Sequence, residues 1–405
     1  FTSTETALVT VKSDVLNAVD RQEVVLLVLL DLSAAFDTID HDILLQRLHD
    51  RLGISGNALQ WVRTYLKCRS SRVYIDGSSS ESSSLVFGVP QGSVIGPLMF
   101  VTYTLPVGDI LRKHNICFHV YADDTQLYVS FNPKIPGAAQ NALKRLENCI
   151  SELQTWMNSN KLKLNSDKTE FFIAGSNHGL KHLPPLTLQV GQHAINPSAT
   201  VRNLGVFFDN QMSMTRQVNS IISSVNLQLR NIKRIQRFLN QTTKHQIVRA
   251  LILSRMDYCN SLLYGIQYKD LRRLQSLQHK AAKLIFNAPR RSSPRPLMHT
   301  LHWLPIANRI IYKICLLVFK CLNKCAPSYL NNAISLKSLP PHGPITRSAS
   351  DKTLLTVRIG KKIIGDKSFT AAGPAIWNNL PRTIRESTSI TVFKKLLKTH
   401  LYRLH

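Results

Sequence analysis

The sequence predicts an α+β protein whose two halves differ in character. Short apolar, β-branched runs typical of strands occur in the first 210 residues, whereas long amphipathic helical patterns dominate after residue 211. Residues 1–210 carry 18 Lys and Arg against 19 Asp and Glu, and residues 211–405 carry 33 against 5. This basic excess indicates a polyanionic partner rather than ordinary solvated charge, because a large charge of one sign repels itself without a counter-charge.

Helices and strands are expected to alternate in the first half. Helical spacing predicts a helix over 5–19, and the apolar run "EVVLLVLLDL" predicts a buried central strand ending near Asp31. Two helices, "HDILLQRLHDRLG" and "SGNALQWVRTYLK", and a hairpin over "SRVYIDGSSSESSSLVFGVPQG" should follow. Next come a helix-like run interrupted by Pro97 and Pro106, a tight turn at Ala122–Asp124 between two strands, and a helix over 138–158. The segments "TEFFIAG" and "VRNLGVFFD" predict one further strand each, with Gly205 marking a bulge.

Two amphipathic helices in the second half predict basic outer faces. Helical spacing in "VNSIISSVNLQLRNIKRIQRFL" and "KDLRRLQSLQHKAAKLIF" turns the apolar residues inward. The residues expected on the outside are Arg230, Lys233, Arg234, Arg237, Arg272, Arg273, Lys280 and Lys283. The Pro-rich stretch "APRRSSPRP" predicts a second boundary. We therefore expect three regions, over residues 1–210, 211–290 and 291–405.

Composition also bears on the compartment. Seven cysteines without paired spacing indicate a reducing environment. Cys315, Cys321 and Cys325 cluster, but their spacing is not that of zinc ligands, which favours buried structural cysteines. The longest apolar run, at 24–30, is far too short to span a bilayer. The sequence therefore favours an intracellular protein, in the nucleus, the cytoplasm or both, with no membrane partner.

Two adjacent acids, Asp123 and Asp124, interrupt the apolar stretch "HVYADDTQLYVSF". A tight turn would let neighbouring side chains face the same way, whereas a strand would send them to opposite faces. Asp31, at the end of another buried strand, is a candidate third acid. Carboxylates of this kind suit Mg²⁺, and two ions about 3.5–4 Å apart support in-line phosphoryl displacement. Taken alone, these acids would also permit a two-metal nuclease or phosphatase.

Five motifs occur together in a set order: "LLDLSAAFDTIDH", "GVPQGSVIGPLMF", "YADDTQLY", "KLKLNSDKTEFF" and "VRNLGVFFD". This combination resembles the reverse transcriptases of LINE-type, non-LTR retrotransposons, of the jockey-like branch. The likeness continues through "SRMDYCNSLLYG", "LQHKAAKLI", "LHWLPIANRI" and "AAGPAIWNNLP". It implies a right-hand polymerase palm with an RNA-recognition-like antiparallel sheet, followed by a helical basic thumb, and an enzyme that copies RNA into DNA.

The resemblance also implies residue roles. Asp31, Asp123 and Asp124 would hold two Mg²⁺ ions, which Mn²⁺ could replace, and the carbonyl of Leu32 would add a ligand. Phe36 would exclude a ribose 2′-hydroxyl, the group that distinguishes RNA building blocks from those of DNA. Lys168 would protonate the departing pyrophosphate, although the residue type alone fits a solvated surface lysine almost as well. The residues implied around the incoming nucleotide are Ala34, Ala35, Phe36, Gln91 and Gly92.

The implied partners are an RNA template, a DNA primer or target, and dNTPs; the oligomeric state is left open. The family pattern begins earlier than Phe1, so the fingers and the endonuclease are expected to be missing, and the isolated chain to be weak or inactive. A non-catalytic nucleic-acid-binding remnant is the alternative, supported by the basic second half. The "VPQG" motif and Phe36 argue against the nuclease or phosphatase, since a hydrolase needs neither.

Overall fold

The structure is a computed structural model that describes residues 3–33, 36–67, 69–90, 92–336, 353–358 and 364–404. Its first elements are α1 (Thr4–Asp20), β1 (Val24–Leu30), β2 (Leu32–Ser33), α2 (His41–Leu52), α3 (Gly56–Leu66), β3 (Arg69–Ser71), β4 (Tyr74–Ile75), β5 (Ser78–Ser79), β6 (Ser83–Leu85), α4 (Gly96–Lys113), β7 (Cys117–Tyr121) and β8 (Asp124–Phe131). The middle comprises α5 (Ala138–Ser159), β9 (Lys163–Leu164), β10 (Glu170–Ala174), α6 (Asn177–Lys181), β11 (Leu188–Val190), β12 (His193–Ile195), β13 (Pro197–Ser198), β14 (Thr200–Asn203) and β15 (Val206–Asp209). The remainder is helical: α7 (Thr215–Ile235), α8 (Gln241–Val248), α9 (Ser254–Asp257), α10 (Tyr268–Ile285), α11 (Pro294–Thr300), α12 (Ile306–Leu322), α13 (Ser328–Asn331), α14 (Phe369–Asn378), α15 (Arg382–Arg385) and α16 (Ile390–Arg403).

These elements form two compact units. The sheet unit comprises residues 25–173 and 181–198, and the helical unit comprises residues 1–24, 174–180 and 199–405. The α+β prediction, with strands in the first half and helices in the second, is confirmed. The expected boundaries near residues 210 and 290 stay a prediction.

The sheet unit is built on a five-stranded sheet with the order β13–β10–β1–β8–β7. β1 occupies the middle, and six of its seven residues are buried, as its uninterrupted apolar sequence predicts. β7 and β8 form an antiparallel hairpin with Cys117 opposite Tyr128 and Tyr121 opposite Asp124. One edge departs from the expected antiparallel arrangement: β13 pairs parallel to β10, since the chain returns to this edge only after the long excursion through α6, β11 and β12.

Helices α4 and α5 support the sheet. The buried stripe of α5, including Leu146, Ile150 and Leu153, packs on β8, and each such side chain stabilises the fold by roughly 1.5–3 kcal/mol. The predicted interruption at Pro97 and Pro106 is wrong, because α4 is one helix. Pro97 lies in the first turn, where no N–H donor is needed, and Pro106 lies inside the helix without ending it.

The helical unit packs amphipathic helices against one another. α7 buries Val218, Val225 and Ile232 and packs against α10, which buries Leu274 and Leu277. Farther along the chain, α12 packs against both α14 and α16. No helix among the described residues is long and apolar enough to cross a membrane.

The segment "VRNLGVFFD" forms two strands rather than the single one predicted. β14 and β15 pair antiparallel with Asn203 opposite Val206, so Leu204 and Gly205 make a two-residue turn. Both have positive φ, 44° and 81°, which is the backbone of a tight hairpin turn. Gly205 therefore marks a turn and not a bulge.

Candidate active site

Asp31 lies between β1 and β2, at the end of the central strand. A short antiparallel pairing of β2 with β9 holds this position, with Leu32 opposite Leu164. The backbone N–H of Asn165 donates a 2.9 Å hydrogen bond to the carbonyl of Asp31. The Nζ atom of Lys168 lies 3.1 Å from Oδ2 of Asp31. The "KLKLNSDK" segment thus lies directly against the first acid of the predicted site.

Asp123 lies in the tight turn between β7 and β8, and Asp124 begins β8. Ala122 has φ of 55°, and Tyr121 pairs with Asp124, so only Ala122 and Asp123 form the turn. The predicted turn is confirmed. Because β8 is the neighbour of β1 in the sheet, the turn and Asp31 belong to adjacent strands.

The three acids interact electrostatically. The pKa of Asp124 is raised, first because its carboxylate loses hydration and then because the negative charges of Asp123 and Asp31 lie nearby. Mutual repulsion of this kind makes the region favourable for a cation.

Among the described residues, no group of three or more His, Cys, Asp or Glu side chains is arranged to hold a metal ion. The donor chemistry of the three acids fits a hard divalent cation, since carboxylates are oxygen ligands. The ammonium of Lys168 contacts Asp31 and supplies part of the positive charge there.

Phe36 lies in the loop after Asp31. Backbone hydrogen bonds join this loop to the residues before "PQG". The carbonyl of Phe36 accepts a 2.9 Å hydrogen bond from the N–H of Val89, and the N–H of Gly88 donates to the carbonyl of Ile39 at 2.8 Å. The ring of Phe36 packs on that of Phe100, with centroids 5.0 Å apart. The side chain proposed as a steric gate therefore has a defined support.

Gly88 is a positioning residue that the sequence reasoning missed. Its φ is 83°, and a Cβ built there would lie 2.9 Å from the carbonyl oxygen of Asp37. Only glycine allows this close approach of two backbones. The feature of the sequence that could have indicated this close backbone contact is the glycine directly before "VPQG".

Three of the expected nucleotide-binding residues, Ala34, Ala35 and Gln91, lie outside the described residues. Gly92 is described: it is exposed, has φ of 80°, and would meet no atom within 4 Å of an added Cβ. Its conformation suits glycine, whereas its predicted contact with a nucleotide stays a prediction.

A basic groove of about 970 Å³ lies in the helical unit. Five of the predicted basic residues line it: Arg230, Lys233, Arg237, Lys280 and Lys283. Lys244 and Arg290, which the helical periodicity did not identify, line it as well, and no acid among the described residues does. Lys244 is only 3% exposed and donates a 2.8 Å hydrogen bond to the neutral amide oxygen of Asn287, so its charge has no carboxylate at that contact. The groove therefore suits a polyanion.

Three predicted basic residues are not among those lining the groove: Arg234, Arg272 and Arg273. Arg273 forms a 2.9 Å ion pair with the buried Asp270, and Arg272 lies over the ring of Tyr268. Helical spacing identified the residues on the outer face of each helix. It could not show which of them line the groove, because the groove forms only when the helices pack together.

Two of the three clustered cysteines follow the structural interpretation, and the third does not. Cys315 and Cys321 are buried, and loss of hydration raises the pKa of each thiol to about 12. Cys325 is exposed.

Comparison with known proteins defines the class. Residues 3–208, just over half of the chain, match the model of the family described as reverse transcriptase (RNA-dependent DNA polymerase). The chain belongs to this family.

Individual relatives come from mobile elements of Drosophila melanogaster. The chain is 23% identical to the probable RNA-directed DNA polymerase from transposon X-element, 25% to that from transposon BS, and 23% to the RNA-directed DNA polymerase from mobile element jockey. Each match covers 68% of this chain and 30% of the relative, so the chain spans about a third of these proteins. The predicted resemblance to non-LTR retrotransposon polymerases is confirmed.

Two solved telomerase structures align more loosely. That of apo telomerase from Candida tropicalis has a TM-score of 0.37 at 12% identity and covers 77% of this chain and 54% of that one. That of Candida albicans telomerase in complex with a fragment of telomeric RNA has a TM-score of 0.34 at 11% identity, covering 76% and 50%. Scores this low do not bear on the fold.

Proposed function

We propose that this chain is the polymerase core of a non-LTR retrotransposon and transfers the deoxynucleotidyl group of a dNTP onto a primer 3′-hydroxyl, with release of pyrophosphate and with RNA as template. The observation that supports this most directly is the adjacency of β1 and β8, with Asp31 at the end of one strand and Asp123 in the turn before the other. The raised pKa of Asp124, caused in part by both other acids, supports the same arrangement.

Asp31, Asp123 and Asp124 would hold two Mg²⁺ ions, and the carbonyl of Leu32 would add a ligand. Bound there, the ions would supply Lewis-acid activation of the attacking hydroxyl and neutralise charge on the leaving group. The three carboxylates would fix the positions of the ions. Their mutual repulsion favours binding of divalent cations between them.

Phe36 selects the sugar in this proposal. Its ring is supported by Phe100, and its backbone is tied to Val89, so a ribose 2′-hydroxyl would meet a side chain that cannot easily withdraw. Ala34, Ala35, Gln91 and Gly92 would surround the nucleotide. Lys168, already beside Asp31, would donate a proton to the departing pyrophosphate.

The basic groove would bind the phosphates of the template–primer duplex. Among the described residues, its lining carries seven Lys and Arg and no acid, which suits contacts that are independent of base sequence. A polymerase needs this tolerance because it moves along any template.

The decisive variant is Asp123→Asn, compared with Asp76→Asn. Asp76 lies in an exposed hairpin turn with φ of 47°, where Asn is equally suitable, so the control makes the same chemical change away from the acids. Asp123→Asn should abolish primer extension on an RNA template while leaving duplex affinity unchanged. Extension by Asp123→Asn at the rate of the control would contradict the catalytic assignment.

The alternative function is nucleic-acid binding without catalysis, which the basic groove favours because it needs none of the three acids. The same assay separates the two functions: duplex binding without incorporation under Mg²⁺ or Mn²⁺, also in a longer chain that supplies the fingers, would support the binding remnant.

A further inference from the structure

Phe238 is exposed at the edge of the basic groove. The residue is 73% exposed and ends the short turn Gln236–Phe238, which joins α7 to α8. Its neighbours in the chain, Arg237 and Leu239, both line the groove. A ring left in water forgoes the free energy that burial would supply, and neither the polymerase chemistry nor the binding of duplex phosphates gives this ring a role.

The guanidinium of Arg237 lies over the ring of Phe238. Its Cζ atom is 4.7 Å from the ring centroid, within the range of a cation–π contact. Because the residue is 73% exposed, the part of the ring that Arg237 does not cover is open to solvent. Sites for single-stranded nucleic acid combine these two groups, a cation for the phosphate and an aromatic face for the base.

Hydrogen bonds fix the turn that carries Phe238. The N–H of Leu239 donates to the carbonyl of Gln236 at 3.3 Å. Directly afterwards, Asn240 caps α8, since its side-chain oxygen accepts from the N–H of Thr243 at 2.8 Å. The ring is therefore held at a defined position beside the groove.

The groove itself suits one strand better than a whole duplex. Its volume of about 970 Å³ is at the upper end of the range for sites that bind drug-sized ligands, roughly 300–1,000 Å³. Its lining also includes the apolar residues Leu229, Leu239, Leu284 and Ala288. Phosphates need only polar partners, whereas the sugars and splayed bases of an unpaired strand also present apolar faces. A short stretch of one strand therefore fits both the size and the mixed lining.

We propose that the groove and Phe238 together bind an unpaired stretch of nucleic acid, with its phosphates on the cations of the groove and one base stacked on the ring. The base is unpaired because neighbouring base pairs cover both faces of a base inside a duplex. Stacking is tolerant of sequence, since every base has a π-face. The inference rests on the proposed role of the groove and adds that the nucleotides at this edge lie outside the paired region.

The test titrates three fluorescein-labelled probes onto the full chain by anisotropy at fixed salt. They are a single RNA strand of adenosines, an abasic strand with the same number of phosphates, and a blunt RNA–DNA hybrid. The unsubstituted chain should bind the adenosine strand at least about fivefold more tightly than the abasic strand, because a base stacks on the ring. Equal affinities for these two strands would overturn the proposal.

Phe238→Leu locates the effect, since it removes the ring but keeps an apolar side chain at an exposed position. It should weaken binding of the adenosine strand at least about fivefold and leave the affinities for the abasic strand and the hybrid unchanged. An equal loss for the hybrid would mean that the ring contacts the end of a duplex, which also contradicts the proposal.

Tyr268→Leu is the matched control. Tyr268 is 72% exposed, and Cζ of Arg272 lies 5.8 Å from the centroid of its ring, but Tyr268 is not among the residues that line the groove. It begins α10, about 22 Å along the helix from Lys283. This variant should bind all three probes as the unsubstituted chain does. Equal losses of affinity in the two ring variants would refute the site.

Salt dependence separates stacking from simple support of Arg237. Stacking releases no counterions, so Phe238→Leu should lower the affinity for the adenosine strand without changing the slope of log affinity against log salt. Arg237→Gln should reduce that slope by about 0.7, the value for one phosphate of a single strand. If Phe238→Leu reduces the slope equally, the ring only positions the guanidinium and the stacking contact is wrong.

Two further results distinguish failure of the stacking contact from failure of the proposed function. Asp123→Asn should bind the adenosine strand normally even though it abolishes extension, because the contact uses none of the three acids. If the proposed role of the groove is wrong, substituting its cations leaves duplex affinity unchanged. If only the stacking contact is wrong, those cations still matter and the bases add nothing to the affinity.

Discussion

The Nζ atom of Lys168 lies 3.1 Å from Oδ2 of Asp31, which joins a predicted proton donor to a predicted metal ligand. Lys168 is 68% exposed, so the ion pair itself contributes only about 0–1 kcal/mol to folding. In the proposed function, this ammonium lies beside the carboxylate at which a divalent ion would also bind.

Replacing Lys168 with Met should lower the maximal rate of nucleotide incorporation by about 100-fold or more, because a positioned general acid contributes roughly 10²–10⁴-fold. Removing the competing ammonium should also lower the Mg²⁺ concentration for half-maximal activity. Both parameters are obtained from extension rates measured over a Mg²⁺ titration. Lys163→Met changes an exposed lysine of the same segment and should alter neither parameter. A normal rate with Lys168→Met would leave this side chain as a solvated lysine.

Shortening the proposed gate should relax sugar selection. With Phe36→Val, the ratio of dNTP to rNTP incorporation efficiency should fall by at least about tenfold, because the ring that would meet the 2′-hydroxyl is gone. The measurement is single-nucleotide extension with each triphosphate. Phe87→Val is the control, since Phe87 is a 54% exposed phenylalanine one residue before Gly88. If both variants keep the same sugar selectivity, Phe36 is a packing residue only.

Neutralising the basic groove should change the salt dependence of duplex binding. Changing Arg230, Lys233 and Arg237 to Gln should reduce the slope of log affinity against log salt by about 0.9 for each phosphate that the groove no longer neutralises. Binding titrations at several salt concentrations give this slope. The matched control changes Lys269, Lys394 and Lys395 to Gln, which removes three exposed charges that do not line the groove. An equal change in both triple variants would mean that only net charge matters.

His119 should make stability depend on pH. Burial lowers the pKa of His119 from 6.5 to about 4 in the folded protein, so the unfolded chain binds a proton more readily between these values. Stability should therefore be complete above about pH 6.5, fall as the pH is lowered toward 4, and decrease by about 3 kcal/mol in total.

Urea unfolding at pH 7 and pH 4.5 measures this effect. His119→Gln should reduce the difference between the two pH values, whereas His193→Gln, at an exposed position of the same unit, should preserve it. An identical pH dependence in both variants would assign the acid sensitivity to other groups.

Much of the fold followed from local patterns. The apolar run at 24–30 became the central strand, Gly53 ended α2 in the left-handed conformation, and α5 matched its predicted bounds within a residue. Such features depend on side-chain periodicity and backbone preference, which the sequence carries directly. The prolines of α4 misled the prediction, because propensity describes an isolated segment and tertiary packing can outweigh it.

Some residues of the candidate site were likewise predictable from local sequence, and others were not. The residue types and spacing alone nominated Asp31, Asp123 and Asp124, and the turn at Ala122 was predictable because two adjacent acids are costly within a strand. Gly88 was not found, since its role depends on a backbone contact with Asp37, a residue 51 positions away. Lys244 was missed because only packing buries it beside Asn287.

The sequence by itself determined the family, the order of helices and strands, and the chemical character of each half, because motifs, periodicity and charge are properties of the chain. Only the tertiary structure decided that β1 and β8 are neighbours, that Lys168 meets Asp31, and that Lys244 is buried beside Asn287. These relationships join residues far apart in the chain, and they arise when burial of apolar faces brings distant segments together.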